Sequence, residues 1–428
     1  MSGRRIVLAV ALLAAFPGLA IAQDGTIEAS DTGDTAWLLA ATALLLFAAL
    51  PGAALFQAGR ARAGSLIAAL VQTVAVAAGV SMAWIVAGYT VAFGEAGVGL
   101  IGGGNAWMLL QLGNVREGLA VPESAFAVYQ IACAMLAAVL VPGAASGRAR
   151  FGWLVLFTTL WSLVVLAPVT HWLWGGGWLS SSVGTLDFAG GLAIELTAGT
   201  SALVTAAIMG RGSDFPEREG WTGVPLITLL GALLLWIGWF GLCGGSAFAA
   251  NDDAASALLA THAAACAGVL ARLGYERLRR RPAGVGALTS GLVAGLAAIA
   301  PAALYVSTGG AIVIGAVGAL LVAPVSRLVR TLGIDDRLDV FAHFAVPGAT
   351  GALLLAPFLS SSLGGVGYSD GMNTVAQLAA QAIGVAAVII WSALGATILA
   401  LMASVAFPMR VSEESEAAGL DCSSHGEP

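Results

Sequence analysis

Long apolar segments follow one another along almost the whole of this 428-residue chain. A helix that crosses the hydrocarbon core of a membrane needs about 20 predominantly apolar residues. Eleven segments meet that need: 35–57, 65–93, 123–143, 151–171, 187–209, 224–248, 254–275, 285–305, 310–327, 339–360 and 373–407. Only 10% of the residues are charged, whereas a soluble domain carries about 25%. The sequence therefore predicts an all-α polytopic membrane protein with eleven transmembrane helices.

The first 22 residues have the layout of a cleavable secretory signal. Arg4 and Arg5 precede an apolar stretch that ends in the A-x-A sequence 20–22. The alternative is an additional membrane anchor. We expect a signal peptide at 1–22, a membrane domain at 23–409 and a C-terminal tail at 410–428.

Arginine placement predicts the orientation of the spans. The chain contains no lysine, so its 18 basic residues are all arginines. Fifteen of them follow odd-numbered spans, and only Arg116 follows an even-numbered span. Cytoplasmic loops of membrane proteins collect Lys and Arg. We therefore expect the N-terminus outside and the C-terminus in the cytoplasm, which agrees with a secretory signal.

Two segments repeat one pattern of polar groups near the membrane interior. Glu195 lies eight residues after Asp187, and Phe344 lies eight residues after Asp336. Eight residues is just over two helical turns, so the members of each pair share roughly one face of a helix. Spans five and ten are corresponding members of two five-helix halves. The pattern therefore favours an inverted five-plus-five helix repeat followed by a final helix.

The carboxylates in these segments have two interpretations. Asp187 and Asp336 can each cap the start of a helix, where a carboxylate accepts hydrogen bonds from free N–H groups. Capping is the favoured role for Asp336, whereas Asp187 is also a candidate pore residue. Glu195 lies in the middle of an apolar segment. Because a carboxylate is costly at that depth, Glu195 is expected to line a cavity or pore.

Enzyme chemistry is not indicated by the sequence. The four histidines accompany no Ser/His/Asp arrangement, zinc-protease motif or nucleotide loop. His171 and His262 lie near span ends, and we expect them to be structural. The four cysteines form no C-x-x-C pair, so neither a disulfide framework nor a zinc site is indicated. We expect no enzyme, no cofactor and no metal site.

Several motifs resemble the ammonium transporter (Amt/Mep/Rh) family, in its bacterial Amt type. They occupy residues 168–179, 186–191, 236–241, 245–247 and 335–341, together with tail residues 409–414, 419–421 and 425–427. The similarity extends from about Asp34 to Glu427, nearly the whole mature chain.

The resemblance implies eleven helices per subunit, a homotrimer and one conduction path through each subunit. It also implies an outer vestibule that selects ammonium, and the matching residues are Trp174, Tyr129 and Ser246. An aromatic face attracts a partly desolvated cation, and a hydroxyl can accept an ammonium N–H. The alternative for Trp174 and Tyr129 is a place in the aromatic belt at the membrane interface.

The pore positions depart from the family pattern. The two facing pore histidines of most members match Glu195 and Phe344 here. His343 precedes the second position, and one residue turns a helix by about 100°, so we expect it to point elsewhere. The usual pair of phenylalanines below the vestibule matches Cys133 and Leu242. Glu195 could replace one member of the proton relay or hold a cation by its charge, whereas Phe344 cannot carry a proton.

These features predict ammonium or ammonia transport through a pore with altered chemistry, in a bacterial inner membrane. One alternative is an ammonium sensor with little or no conduction that signals through its tail; another is a pore for a different small cation or a neutral amine. The resemblance also suggests a PII-type signal protein as a partner at the cytoplasmic face. The alternative for the acidic run Glu413, Glu414 and Glu416 is a solvated end.

Overall fold

The computed structural model describes residues 30–62, 64–96, 99–104, 107–110, 112, 114–215 and 223–426. The signal segment at 1–22 lies outside these residues and stays a prediction. The described helices are α1 (Thr32–Arg60), α2 (Leu66–Phe93), α3 (Glu123–Ala145), α4 (Phe151–Val183), α5 (Gly191–Met209), α6 (Pro225–Gly245), α7 (Asp252–Leu278), α8 (Val285–Ile299), α9 (Thr308–Thr331), α10 (Phe341–Phe358), α11 (Thr374–Ala406), α12 (Glu413–Ala418) and α13 (Leu420–His425).

Helices occupy all eleven segments that the sequence marks as apolar. Ten of them are long and apolar enough to cross a membrane, within the described ranges. Helix α8 has only 15 residues, fewer than the 285–305 segment suggests. It ends at Ile299 because Pro301 has no N–H to continue the helix and disfavours helical backbone at the residue before it. The carbonyls of Ala300 and Pro301 then accept hydrogen bonds from the N–H groups of Ala189 (2.9 Å) and Phe188 (3.1 Å). The all-α membrane architecture is confirmed, with one span shorter than expected.

Helices α5 and α10 begin in the same way. Each opens with a π-helical turn, Gly191–Leu196 in α5 and Phe341–Ala345 in α10. An aspartate precedes each turn and accepts backbone N–H bonds from its first residues: Asp187 from the N–H of Ala193 (2.8 Å), and Asp336 from that of Phe341 (2.8 Å). The carboxylates satisfy N–H groups that a helix start leaves free. This shared construction agrees with the predicted five-plus-five repeat.

Corresponding helices of the two halves also pack closely, because small residues let their backbones approach. In the α1–α6 pair, a Cβ added at Gly238 would collide with Ala48. In the α5–α10 pair, a Cβ added at Gly199 would lie 2.6 Å from the Cβ of Ala345. Glycine is required at these crossings for space, not for backbone freedom.

The structure describes part of the connection between α2 and α3. It contains two short antiparallel strands, β1 (Glu95–Ala96) and β2 (Gly102–Gly103). Farther on, a reverse turn over 116–119 is closed by a hydrogen bond from the Leu119 N–H to the Arg116 carbonyl (3.0 Å). This turn lies beside the cavity described next.

Candidate functional site

A cavity of about 270 Å³ opens at the end of the bundle where α3 begins. We call it the vestibule. Its lining consists of Arg116, Glu117, Leu119, Phe126, Tyr129, Gln130, Trp174, Phe188, Ser246 and Phe248. The three residues predicted to bind substrate, Tyr129, Trp174 and Ser246, therefore lie together although they come from α3, α4 and the end of α6.

The hydroxyl groups of Tyr129 and Ser246 share one backbone acceptor. Tyr129 donates to the carbonyl oxygen of Leu242 at 2.6 Å, and Ser246 donates to the same oxygen at 2.9 Å. The two hydroxyl oxygens are 3.1 Å apart. Because a hydroxyl has one proton and two lone pairs, both oxygens keep lone pairs available. The pair therefore suits a ligand that donates N–H bonds.

The Trp174 indole is held by the residue that caps α5. Its N–H donates to the backbone carbonyl of Asp187 at 2.6 Å. The carboxylate of Asp187 is in turn occupied by backbone N–H groups of Gly190, Leu192 and Ala193, at 2.8–3.2 Å. Asp187 was predicted as a pore residue or a helix cap. The geometry is that of a cap that also positions the indole.

Glu195 lies in the π-helical turn of α5 and is fully buried. Neither of its carboxylate oxygens has a hydrogen-bond partner in the described part of the chain. Across the α5–α10 crossing, a Cβ added at Gly348 would lie 3.1 Å from the Cβ of Glu195. A buried carboxylate without a partner is energetically costly, so a cation, a proton or water would be stabilised beside it.

Below Tyr129, the pore positions predicted on α3 and α6 are apolar. Cys133 lies one helical turn along α3 from Tyr129 and is buried, and Leu242 is fully buried. Leu242 also serves the vestibule through its backbone carbonyl, as described above. Of the predicted pore positions, Glu195 is therefore the one polar side chain that is not already bonded as Asp187 is.

His343 and Phe344, neighbours on α10, are both buried. The ring of His343 donates from Nδ1 to the Asp339 carbonyl at 2.8 Å, since a carbonyl oxygen can only accept. Its Nε2 then accepts from the Ser290 hydroxyl at 3.1 Å and lies 3.4 Å from the Arg60 guanidinium. Nδ1 thus bonds the turn before α10 and Nε2 contacts α8 and α1, in agreement with the expectation that His343 points away from the pore position.

A family model described as the Ammonium Transporter Family matches residues 36–428 of this chain. The chain belongs to the ammonium transporter family. An ammonium transporter of Aquifex aeolicus (strain VF5) is 38% identical over 420 residues, which cover 97% of each chain. This family consists of transporters and not of enzymes.

Solved structures of ammonium transporter proteins share the fold. A structure described as a sensor Amt protein overlays with a TM-score of 0.85 at 25% identity, covering 92% of this chain and 98% of that one. The crystal structure of Saccharomyces cerevisiae Mep2 overlays with a TM-score of 0.82 at 29% identity, covering 93% and 94%. The similarity to ammonium transporters therefore extends over the spans, the vestibule and the tail.

Sequence reasoning missed part of the vestibule of this ammonium transporter family member. Phe126, Gln130, Phe188 and Phe248 also line it. Phe126 lies three residues before Tyr129 on α3, which is helical spacing, and Phe188 lies inside the 186–191 motif, so a signal was available for these two. Gln130 directly follows Tyr129, and its place in the lining had no such signal. No sequence signal marked Phe248. In the structure its backbone has a φ of 52°, and the centre of its ring lies 5.7 Å from that of the Tyr129 ring.

The tail of this ammonium transporter family member folds against loops of its own subunit. Glu416 is buried, accepts from the Arg410 guanidinium at 2.6 Å and accepts from the Ser213 N–H at 3.2 Å. Asp421 accepts from the N–H groups of Leu66 (3.1 Å) and Ala68 (2.7 Å), which begin α2. Of the acidic run, Glu413 and Glu414 are exposed, so the solvated-end interpretation holds for these two and not for Glu416.

The same face contains a network of charged groups between spans. Arg148 is fully buried and binds the Asp335 carboxylate at 3.1 Å. Arg337 holds Asp214 through two hydrogen bonds, of 2.5 and 2.9 Å. Partial burial by itself raises the pKa of Asp214, but the bonds and charge of Arg337 outweigh it and lower the pKa. These contacts join the loops after α3, α5 and α9 to the start of α10.

Proposed function

We propose that this protein moves ammonium or ammonia across the membrane through a pore in each subunit, starting from the vestibule. Trp174 offers an aromatic face, and the oxygens of Tyr129 and Ser246 offer two acceptors for ammonium N–H bonds. The observation that supports this most directly is that both hydroxyl protons are directed to the single carbonyl of Leu242. The site then presents lone pairs and a π face, which favour a small N–H cation over a neutral solute.

In the deeper part of the proposed path, one carboxylate takes the place of the two histidines that relay a proton in most family members. Glu195 is the proposed acceptor for the ammonium proton, or the proposed anchor for the intact cation. Phe344 ends the relay, since a phenyl ring carries no proton. Cys133 and Leu242 replace two large rings below the vestibule and leave a wider entrance. Asp187 acts in this scheme by holding Trp174 and the start of α5.

The proposed setting follows the arginine distribution and the family. The mature chain, 23–428, is a multi-pass inner-membrane protein with its N-terminus outside, its C-terminus in the cytoplasm, and a signal peptide at 1–22 removed. Three copies form a homotrimer. A PII-type protein binds the face that carries the tail 410–428, and a pull-down with and without those residues tests this partner.

The test of conduction is the current across proteoliposomes after an ammonium concentration jump. Loss of a desolvated cation–π contact is worth about 2 kcal/mol, so Trp174→Leu should raise the half-saturating ammonium concentration by about 30-fold. Glu195→Gln should abolish most of the current while the protein still binds ammonium. Normal transport by Glu195→Gln would exclude Glu195 as the acceptor or anchor.

A second candidate function is ammonium sensing with little conduction. It is supported by Phe344 at a relay position and by the similarity to a structure described as a sensor Amt protein. Saturable ammonium binding without current, swelling or internal pH change would favour this function. Proteoliposomes that show internal pH change without current would instead indicate ammonia conduction.

A further inference from the structure

The vestibule lining contains two charged side chains, those of Arg116 and Glu117. Arg116 is already engaged. It binds the Glu123 carboxylate at 3.1 Å, and its guanidinium lies 4.8 Å from the centre of the Phe126 ring. Its charge is therefore balanced by Glu123, which begins α3, and its planar group covers one face of Phe126.

Glu117 is in a different position. Its side chain is exposed, and no ion pair forms with it in the described part of the chain. Since Arg116 and Glu123 neutralise each other, Glu117 leaves the vestibule with one uncompensated negative charge. A charge that faces a cavity with low-dielectric walls raises the local concentration of ions of opposite sign.

The backbone holds Glu117 at this place. Residues 116–119 form a reverse turn, closed by the Leu119 N–H donating to the Arg116 carbonyl (3.0 Å). Gly118 takes the left-handed conformation in this turn, with a φ of 76°, which glycine adopts without strain. The Arg116 N–H donates to the Val121 carbonyl (2.9 Å), which anchors the turn. The backbone of Glu117 is thus held in a hydrogen-bonded turn beside the vestibule that its side chain lines.

We propose that Glu117 recruits cationic substrate to the vestibule and sets the concentration at which it fills, an inference that rests on the proposed function. A sphere with the volume of the vestibule is about 8 Å across, so Glu117 acts over that range. At an effective dielectric constant of about 40 to 80, a unit charge at this distance changes occupancy by about two- to sixfold. The effect acts on binding and not on the maximal rate.

The experiment measures half-saturating ammonium concentration for the full-length protein, by Trp fluorescence in detergent and by current in proteoliposomes. Titrations with ammonium chloride are run at about 10 mM and about 1 M background salt, where the Debye length is about 30 Å and 3 Å. Glu117→Gln should raise the half-saturating concentration about two- to sixfold at low salt and leave it near wild type at high salt. Maximal current should not change.

Matched variants separate charge from structure. Glu117→Asp keeps the charge and should restore the wild-type value, whereas Glu117→Arg should raise the half-saturating concentration further. Glu95→Gln removes the same charge from the same connection, at a residue outside the vestibule lining, and should raise the half-saturating concentration less than Glu117→Gln does, because the charge acts from a greater distance. An equal shift at both salt concentrations, or no shift at low salt, overturns the role of Glu117.

The wild-type titration distinguishes the two proposals. If wild type saturates and Glu117→Gln matches it, the recruiting role is wrong and ammonium recognition stands. If wild type shows neither saturable fluorescence change nor ammonium-dependent flux, the proposed function fails and the role of Glu117 fails with it.

Discussion

Replacing Gly348 with alanine tests how tightly α5 and α10 must pack beside Glu195. A Cβ at this position would collide with the Gly191 carbonyl oxygen and lie 3.1 Å from the Cβ of Glu195. Neither neighbour is the end of a flexible side chain, so the two helices must separate to make room. Overpacking of this kind typically costs about 1–3 kcal/mol.

An opposing effect has to be set against that cost. Replacing glycine by alanine inside a helix gains up to about 1 kcal/mol, because the unfolded chain loses conformational freedom and the helix is favoured. Gly274 in α7 isolates this gain, since a Cβ there would have no atom within 4 Å. We therefore expect Gly348→Ala to lower the apparent melting temperature and Gly274→Ala to leave it unchanged or raise it.

The assay is thermal unfolding of the purified protein in one detergent at one scan rate, followed by ammonium-driven current for the folded fraction. Gly348→Ala should also reduce the current, because separation of α5 and α10 moves Glu195 away from its wild-type position. If Gly348→Ala melts at or above the wild-type temperature, the close crossing of these helices is wrong. If Gly274→Ala lowers the melting temperature as much as Gly348→Ala does, the packing argument is also contradicted.

Two further predictions concern groups outside the vestibule. His343→Ala removes the acceptor of the Ser290 hydroxyl and leaves a cavity, so we expect a loss of about 2–4 kcal/mol in stability; unchanged melting with a large loss of current would show that His343 handles substrate instead. The bonds from Arg337 lower the pKa of Asp214 in the folded protein. They therefore stabilise the folded state fully at pH values above the pKa of the unfolded chain, about 3.9. This stabilisation is lost as the pH falls through the lowered pKa of the folded state. Between pH 6 and pH 3 the wild type should lose more stability than Asp214→Asn, and equal losses in the two melting curves would contradict this pairing.

The order and extent of the helices followed from sequence because membrane burial depends mainly on local composition. A run of about 20 apolar residues has few alternatives to a spanning helix, since its backbone groups must be satisfied within the segment. The exception was α8, which stops after Ile299. Pro301 is a local stop signal for this helix. The bonds that the carbonyls of Ala300 and Pro301 accept from Ala189 and Phe188 come from more than a hundred positions away, and no local pattern encodes them.

The candidate site could be predicted in part. The family resemblance identified Trp174, Tyr129 and Ser246, and a position in the middle of an apolar segment marked Glu195 as a buried acid. The roles of the surrounding groups depended on tertiary contacts: Asp187 had two open interpretations until its carboxylate was located among three backbone N–H groups. Phe248 could not be recognised, because its left-handed backbone conformation follows from the loop around it.

The sequence by itself determined that this chain is a helical membrane protein, how its helices are ordered and which polar residues lie at membrane depth. Only the tertiary structure decided which groups satisfy one another: Tyr129 finds its acceptor at Leu242, 113 positions away, and His343 finds Ser290, 53 positions away. The physical reason is that hydrophobic burial is summed along a segment, whereas a hydrogen bond requires two specific atoms within about 3 Å. Folding brings such atoms together from distant parts of the chain, and sequence spacing does not record their distance.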